Sequence, residues 1–439
     1  MPPMPCFLRS LPLEILTKIC QELVDDTASL ARLGETCREL NRAVVPVLYR
    51  EIEDHAPPHR LRAVALVVSL AAYPSRGQYI RAIKFPHPSP APIDIQSNMY
   101  GLYCAAIQYL FGFVAPVPPN QSQLVAILAL ACLAPNVSRL EIMVSYSWGN
   151  TDFLLNKVNN RVTGAKPRCV LPRLTSLVVD LTSPVDCGFN LHRLNGCFYA
   201  APNLTSLAID RPSGGTSLTA RLSHLTTLRL TNALMSHRGL RFLIRGCSNL
   251  VSFQFTQNSH AWSKTYLPVS PAQVLACLAP CKATLRKLHL APYLPSTPLQ
   301  QRGIPWDRLD TLDEFPLLRQ VAVNLDAIRR QNGGQVLARF VWNCTSLEGL
   351  FVMGLEAFPT EEFACFARAA AIRPRLAMLK MQLKLELGQI QDGGVYEEFL
   401  NDLQRCEQDE SSGASTMREM GIQLQTVSGL AVTHPFAED

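Results

Sequence analysis

The residues best suited to chemistry in this chain of 439 residues are fourteen cysteines and nine histidines. No two cysteines have the Cys-x-x-Cys spacing of a zinc site, and the nearest approach, Cys277 and Cys281, has no His-x-x-x-His beside it. His55 and His59 have one-turn spacing, but they bracket two prolines and therefore do not share a helix face. The sequence predicts no metal site, and we expect no cofactor.

Motifs for nucleophilic or phosphate chemistry are also missing. There is no G-x-x-x-x-G-K-S/T phosphate loop and no G-x-S-x-G nucleophile elbow. Cys197 or Cys344 would need a histidine and an orienting group to act as a nucleophile, and sequence places neither. The paired carboxylates of Asp25 and Asp26 fall at a predicted helix start, where capping and the helix dipole explain them. We therefore expect a protein that binds other molecules and is not an enzyme.

Composition and charge narrow the class further. Apolar residues make up 48% of the chain and charged residues 17%, which is typical of a folded protein. Residues 1–55 hold six basic and nine acidic residues, a net charge of −3, so the remainder carries +9 of the total of +6. A solvated surface explains this mild excess better than a nucleic-acid groove does, and we expect no nucleic-acid partner.

Signals for export or membrane insertion are not found in the sequence. The first ten residues lack a basic segment followed by an apolar one, and the apolar stretches 61–73 and 124–134 are too short to span a bilayer. Four asparagines in Asn-x-Ser/Thr triplets are interpreted as turn residues: Asn120, Asn136, Asn203 and Asn343. The sequence predicts a protein of the cytoplasm, the nucleus or both, with no membrane partner.

A small helical module is predicted at residues 8–52. Ser10 is expected to cap the first helix, whose apolar face has one-turn spacing: Ile15, Leu16, Ile19, Cys20 and Leu23. Asp25 and Asp26 break this helix and provide a cap for the next, and Pro46 is expected to end or kink the last helical run. A module of about forty residues buries too little surface to be more than marginally stable by itself. We therefore expect it to be stabilised by contact with a partner or with the neighbouring domain.

The sequence of this module resembles that of a known family. Three strings, Leu11-Pro12-x-Glu14-Ile15-Leu16-x-x-Ile19, Leu30-x-x-Leu33-x-x-x-Cys37-Arg38 and Leu48-Tyr49-Arg50, together resemble an F-box. The resemblance implies docking onto the Skp-type adaptor of an SCF ubiquitin ligase, and through that adaptor to a cullin. It also implies five residues on or beside the adaptor surface: Leu11, Pro12, Ile15, Leu16 and Leu33. Which of them face the partner and which pack internally stays open.

An L-x-x-L-x-L frame recurs through the rest of the chain. Eight copies start at Leu174, Leu204, Leu225, Leu250, Leu285, Leu318, Leu347 and Leu376, at intervals of 21 to 35 residues. Weaker copies are Ile80-x-x-Ile83-x-Phe85 and a partial one at Leu140. The frame predicts an α/β fold: an irregular leucine-rich-repeat solenoid with a curved parallel sheet and helices on its outer face. The irregular spacing resembles that of fungal-type F-box proteins. An ordinary leucine-rich α/β sheet is the alternative.

The predicted organisation has four parts. Residues 8–52 form the F-box module, residues 53–136 a helical linker and first degenerate repeat, residues 137–400 the solenoid, and residues 401–439 a C-terminal cap and mobile tail. Helices are predicted at 236–246, 272–278, 335–342 and 361–371. Loops are predicted at 86–98, 145–170 and 291–315.

Residues between the leucines of the frame should point out from the sheet. One outward row is predicted to contain Val178, Ala208, Arg229, Gln254, His289, Ala322, Phe351 and Lys380. We expect a target protein to bind at five positions on this face: Arg229, His289, Phe351, Met353 and Lys380. Trp306, in the predicted loop 291–315, is the competing anchor.

Taken together, the residues and the resemblance predict the substrate-recognition subunit of an SCF-type ubiquitin ligase. A non-ligase interaction scaffold built on the repeats is one alternative. An enzyme that uses cysteine or aspartate chemistry in an inserted loop is another, and turnover by the isolated chain would be needed to support it.

Overall fold

The computed structural model describes residues 11–53, 62–85, 98–111, 122–144, 171–181, 188–214, 222–257, 268–291, 309, 311–324, 346–353, 378–382 and 424–425. The chain forms two compact units. The first consists of residues 1–209 with 219–224, and the second of residues 210–218 with 225–439.

Three short helices open the first unit: α1 (Leu13–Glu22), α2 (Thr27–Thr36) and α3 (Arg38–Leu48). The Pro12 carbonyl accepts hydrogen bonds from the amides of Ile15 and Leu16 and so starts α1. Ser10, the predicted cap, lies outside the described residues. The Asp26 carboxylate accepts from the Ser29 amide at 3.0 Å and so caps the second helix, as predicted. Hydrogen bonds from the side chain and the amide of Ser29 lower the pKa of Asp26.

Pro46 lies inside α3, which continues to Leu48, so of the two predicted effects of this proline, an end or a kink, the end is wrong. Pro46 has no amide hydrogen and cannot donate a helical hydrogen bond. After this proline, the Tyr49 amide donates to the Val45 carbonyl. Packing holds the helix, because one of its faces lies in a core shared by all three helices. The buried members of this core are Leu16, Cys20, Leu30, Leu40, Ala43, Val44 and Val47.

The rest of the first unit alternates strands and helices. In chain order these are β1 (Glu51–Glu53), α4 (Arg62–Ala72), a 3-10 helix (Pro74–Tyr79), β2 (Ala82–Phe85), α5 (Asn98–Phe111), α6 (Ser122–Leu133), β3 (Arg139–Val144), β4 (Ser176–Leu181), β5 (Phe189–Asn190), a 3-10 helix (Leu191–Leu194), α7 (Asn195–Ala200) and β6 (Ser206–Asp210). Strands β1, β2, β3, β4 and β6 lie side by side in that order, each pair parallel.

The repeated frame sets the register of these strands. Buried apolar residues stand opposite one another across the five strands: Ile52, Ile83, Leu140, Leu177 and Leu207. The weaker copy at Ile80 is thus a strand in the predicted register. The partial copy at Leu140, predicted with Met143 as its next frame residue, is also a strand, but its predicted register is wrong: Leu140 stands opposite Leu177, the fourth position of its copy, and Met143 stands opposite Asp180. Strand β1 was not predicted, and it lies at the end of the helical module.

The second unit repeats the alternation. Its elements are β7 (Pro212–Ser213), β8 (Thr227–Ala233), α8 (His237–Arg245), β9 (Ser252–Gln257), α9 (Pro271–Cys277), a 3-10 helix (Ala279–Cys281), β10 (Lys287–Ala291), β11 (Gln320–Asn324), β12 (Gly349–Met353), β13 (Met378–Gln382) and β14 (Leu424–Gln425). Strands β8 to β14 lie side by side in sequence order, and their pairs are parallel. Frame residues again stand in register and are buried: Leu228, Phe253, Leu288, Val321 and Leu350.

Both predicted helices that the structure describes are present. Ser236 caps α8 by accepting from the Gly239 amide at 3.2 Å, and Gly246 follows the last residue. Ser270 and Gln273 form a reciprocal capping box at the start of α9. The predicted helices 335–342 and 361–371 lie outside the described residues. The larger part of each predicted loop also lies outside them. Within the predicted tail, β14 pairs with β13.

The Asn-x-Ser/Thr triplets at Asn136 and Asn203 occupy turns before strands, as predicted. The Asn203 amide nitrogen donates to the Pro172 carbonyl at 2.7 Å, and Asn136 makes the equivalent bond to Gln78. Two residues later, the Thr205 hydroxyl donates to the Thr175 carbonyl at 3.1 Å. These triplets therefore join one repeat to the preceding one. Asn120 and Asn343 lie outside the described residues.

This role predicts different effects for two substitutions of Asn203. Asn203→Ala should lower the free energy of unfolding by about 1 kcal/mol, the usual contribution of one hydrogen bond. Asn203→Asp should lower it more, because a charged acceptor then faces the Pro172 carbonyl oxygen. Urea unfolding of both variants at pH 7 measures the difference. An aspartate variant as stable as the natural chain would contradict this role.

Candidate functional site

The structure separates the five predicted adaptor residues into an outer and an inner set. Ile15 is 42% exposed and Pro12 is also exposed, whereas Leu16 is 2% exposed and belongs to the helical core. Leu11 and Leu33 are half-buried against the same core. A partner can therefore contact Pro12 and Ile15 directly. Leu16 is not accessible to a partner, and its packing in the core holds α1 in place.

Exposed apolar side chains are concentrated on this first helix. Among the described residues, nine large apolar side chains are exposed, and four of them lie in α1 or in the turn after it. These four are Leu13, Ile15, Ile19 and Val24, and we use the name α1 apolar patch for the two that share a side of the helix, Ile15 and Ile19. Ile15 and Ile19 are four residues apart and therefore lie on the same side of the helix. Such a cluster on a small domain is typical of a protein-binding surface.

Three of these four exposed residues were missing from the predicted adaptor set. Ile19 stood in the motif and on the predicted apolar face of the helix but was not named as an adaptor residue, and neither Leu13 nor Val24 was considered. The signal that could have identified them is the excess of apolar residues between positions 11 and 24, which is more than one helix face can bury.

The helical module is joined to the rest of the first unit by an aromatic and cationic contact. The Arg76 guanidinium lies 5.6 Å from the Tyr49 ring centroid and 4.4 Å from that of Tyr73. Its Nη1 atom also donates to the Tyr49 hydroxyl at 3.1 Å. Tyr49 follows the last residue of α3 and is buried, so Arg76 fixes the end of the module.

Strand β1 makes the second connection. It pairs in parallel with β2, with Ile52 opposite Ile83 and both side chains buried. The same two strands are also joined by ion pairs: the Lys84 ammonium of β2 pairs with Glu51 of β1 and, at 3.6 Å, with Glu53 of β1. The hydrogen bond that the Lys84 ammonium donates to the Glu51 carboxylate raises the pKa of Lys84. The module thus ends as a strand of the sheet and not in a free linker.

Four of the five predicted target-binding residues share one row of the second unit's sheet, and Met353 lies two residues further along β12. Arg229, Gln254, His289, Ala322, Phe351 and Lys380 stand opposite one another from β8 to β13, as predicted. Arg229 is exposed and Phe351 is half-buried. Met353 and Lys380 have defined strand positions, but their side chains lie outside the described part, and so does Trp306.

His289 does not fit its predicted role, because it is only 7% exposed. Its neighbours in the row, Gln254 and Ala322, are buried as well. Alternation along a strand decides on which face a side chain lies, but it does not make that face open to solvent. The middle of the row is covered, so a partner could reach Arg229 but not His289.

A polar cluster at the carboxyl end of β6 was not recognised as a unit in the sequence. The Asp210 carboxylate accepts from Arg211 Nε at 3.0 Å, Thr231 Oγ1 at 3.2 Å and Asn232 Nδ2 at 2.7 Å. Arg211 and Asn232 both adopt positive φ, at 49° and 52°. The carboxylate holds two left-handed residues in place, which is a structural role.

Three buried cysteines of the second unit are poor nucleophiles. Cys197, Cys247, Cys277 and Cys281 are buried. Burial raises the pKa of Cys247 to about 12 and the pKa values of Cys277 and Cys281 to about 11, so these thiols are protonated at neutral pH. Cys344 lies outside the described residues.

The described residues offer neither a metal site nor a membrane-spanning helix. Within those residues, no three of the side chains of histidine, cysteine, aspartate and glutamate are placed so that they could hold a metal ion. None of the helices in the same part of the chain has the length and apolar character needed to cross a membrane.

Comparison with known proteins gives one result at the level of the domain. No curated protein matches the chain. The family model described as F-box-like matches residues 8–54, a span that contains α1, α2, α3 and β1. F-box domains bind Skp-type adaptors, which suggests an adaptor-binding role in an SCF ligase. The chain therefore contains an F-box-like domain at residues 8–54.

Proposed function

We propose that this chain is the substrate-recognition subunit of an SCF-type ubiquitin ligase. Its F-box-like domain would bind a Skp-type adaptor, and through it a cullin, while the sheet binds a target protein. The observation that supports this most is the α1 apolar patch, which lies in a domain matching the F-box-like family. The proposal places the protein in the cytoplasm, the nucleus or both.

Adaptor binding would bury the α1 apolar patch. Ile15 and Ile19 are exposed in the free chain, and each isoleucine side chain that becomes fully buried contributes about 1.5–3 kcal/mol. Leu16 and Cys20, on the other side of α1, anchor the helix to the core. The patch is therefore presented on a fixed helix, which reduces the entropy lost on binding.

The sheet would act as the target-binding part, as a fungal-type leucine-rich-repeat array with irregular spacing. Its parallel strands and the register of the buried frame residues support this proposal. We propose a target site at Arg229, Phe351, Met353 and Lys380, without direct contact to His289. Trp306 stays the competing anchor.

The mechanism would be proximity and would need no catalytic residue or cofactor in this chain. One part fixes the subunit to the ligase and another holds the target, so the target's effective concentration near the transferring enzyme rises. The raised pKa values of the buried thiols support a non-catalytic role.

Co-purification tests this proposal. We expect the tagged full-length chain to bring down both a Skp-type adaptor and a cullin, and target ubiquitylation to depend on the chain. An adaptor without a cullin would indicate an interaction scaffold instead. Leu102→Glu, which changes an exposed apolar residue of α5 outside the F-box-like match, is the matched control for variants of the α1 apolar patch.

Truncation is a poor alternative to point variants. Removal of residues 1–54 would delete β1 and leave the edge of β2 unpaired, so lost binding could reflect a damaged sheet.

A further inference from the structure

Helix α8 presents three arginines on one exposed side. Arg238, Arg241 and Arg245 are exposed and follow the i, i+3, i+7 spacing of a single helix face. The opposite side packs into the unit through Leu240, Leu243 and Ile244. Exposed Phe242 stands among the arginines, with the Arg238 guanidinium 5.9 Å from its ring centroid. We call these four exposed residues the α8 strip.

The arginines of the α8 strip have no carboxylate partner among the described residues. Elsewhere in the described part, five basic side chains are paired with carboxylates: Lys84, Arg139, Arg211, Lys282 and Arg319. The strip is thus a concentration of positive charge that the described part of the chain does not neutralise.

Helix stability does not account for the position of Arg238. It lies in the first turn of α8, where the helix dipole favours negative charge, and that turn has no acidic residue. The positive charge of Arg245, in the last turn, interacts favourably with the helix dipole, whereas that of Arg238 does not. A residue that opposes local stability at an exposed position points to a role in binding.

We propose that the α8 strip docks an acidic segment of a partner protein, rich in aspartate and glutamate. Seven residues of helix separate the outer arginines, which is about 10 Å along the axis at about 1.5 Å per residue. An extended chain covers that length in about three residues, so carboxylates on a short acidic stretch can meet all three guanidinium groups. Phe242 would contact an apolar side chain in the same segment.

Two other anionic partners fit less well. A membrane-surface helix inserts its apolar face, but here Leu240, Leu243 and Ile244 are buried in the protein. Nucleic-acid binding usually involves neutralisation of about six to ten phosphates, whereas the α8 strip offers three charges. This inference adds a contact surface to the proposed receptor and does not depend on adaptor binding.

The test uses the full-length chain and a fluorescent synthetic peptide of aspartates and glutamates around one leucine. We expect Arg238→Glu combined with Arg241→Glu to weaken peptide binding by at least about tenfold, with the natural chain's affinity falling as salt rises. The melting temperature should not fall, because both arginines are exposed and a carboxylate at position 238, in the first turn, favours the helix.

The control makes the same change of charge at two exposed arginines outside the strip, Arg173→Glu with Arg286→Glu. It should bind the peptide within about twofold of the natural chain. Equal binding by the strip variant, or equal loss in the control, would overturn the proposal. So would tighter binding of single-stranded RNA or of phosphatidylserine vesicles than of the peptide, if the strip variant abolished that binding.

Discussion

Replacing Ile15 and Ile19 together by glutamate should abolish binding of a Skp-type adaptor while leaving the folded chain intact. Both side chains are exposed, at 42% and 38%, so the substitutions remove little internal packing. In the complex, the loss of two buried isoleucines costs about 3–6 kcal/mol, a weakening of about a hundredfold or more. Pull-down and calorimetry with purified adaptor measure the loss, and thermal unfolding checks the fold.

Two further variants show whether the effect comes from the surface. Leu102→Glu alters an equally apolar exposed position, 54% exposed, and should bind adaptor as the natural chain does. Leu16→Ala should instead lower stability, because Leu16 is part of the helical core. Adaptor binding at the natural level by the Ile15/Ile19 variant would refute docking through the α1 apolar patch.

Leu288→Ala should lower the free energy of unfolding by about 2–5 kcal/mol through lost burial and the cavity that remains. Leu228→Ala should have the same effect, because both leucines are buried and stand in the same register row of the sheet. Arg229→Ala, one residue from Leu228 but exposed, should change stability by less than about 0.5 kcal/mol. Urea unfolding of the three variants measures these differences.

His289→Ala provides a second comparison within the same strand. As a buried residue of β10, His289 should behave as a packing residue, and the alanine variant should be clearly less stable than Arg229→Ala. A loss of target binding without a loss of stability would contradict this and restore the predicted binding role.

The strand register could be predicted because it depends on a local pattern. Residues such as Leu177, Leu228 and Leu288 fall at the same position of the frame, and a one-residue shift would move each of them to the other face. Strand β1 escaped prediction because its only apolar residue is Ile52, between two glutamates. Those charges are tolerated because Lys84 lies on the neighbouring strand, a contact between strands that sequence does not show.

The candidate site was less predictable, because exposure depends on packing partners. Helical periodicity grouped Ile15 and Ile19 with Leu16 and Cys20 on one apolar face, and the structure divides them between outside and core. His289 shows the same limit in a strand. The alternation of side chains placed it correctly on the outward row. Whether that row is exposed to solvent depends on tertiary packing, which the alternation does not show.

The pairing of β1 with β2 limits how this protein could be re-engineered. A chimera that replaces residues 8–54 with the corresponding domain of another protein would also replace one strand of the sheet. The donor would have to supply an apolar residue opposite Ile83 and acidic side chains beside Lys84. Cassette exchange at this boundary should therefore yield insoluble chains unless the donor strand matches.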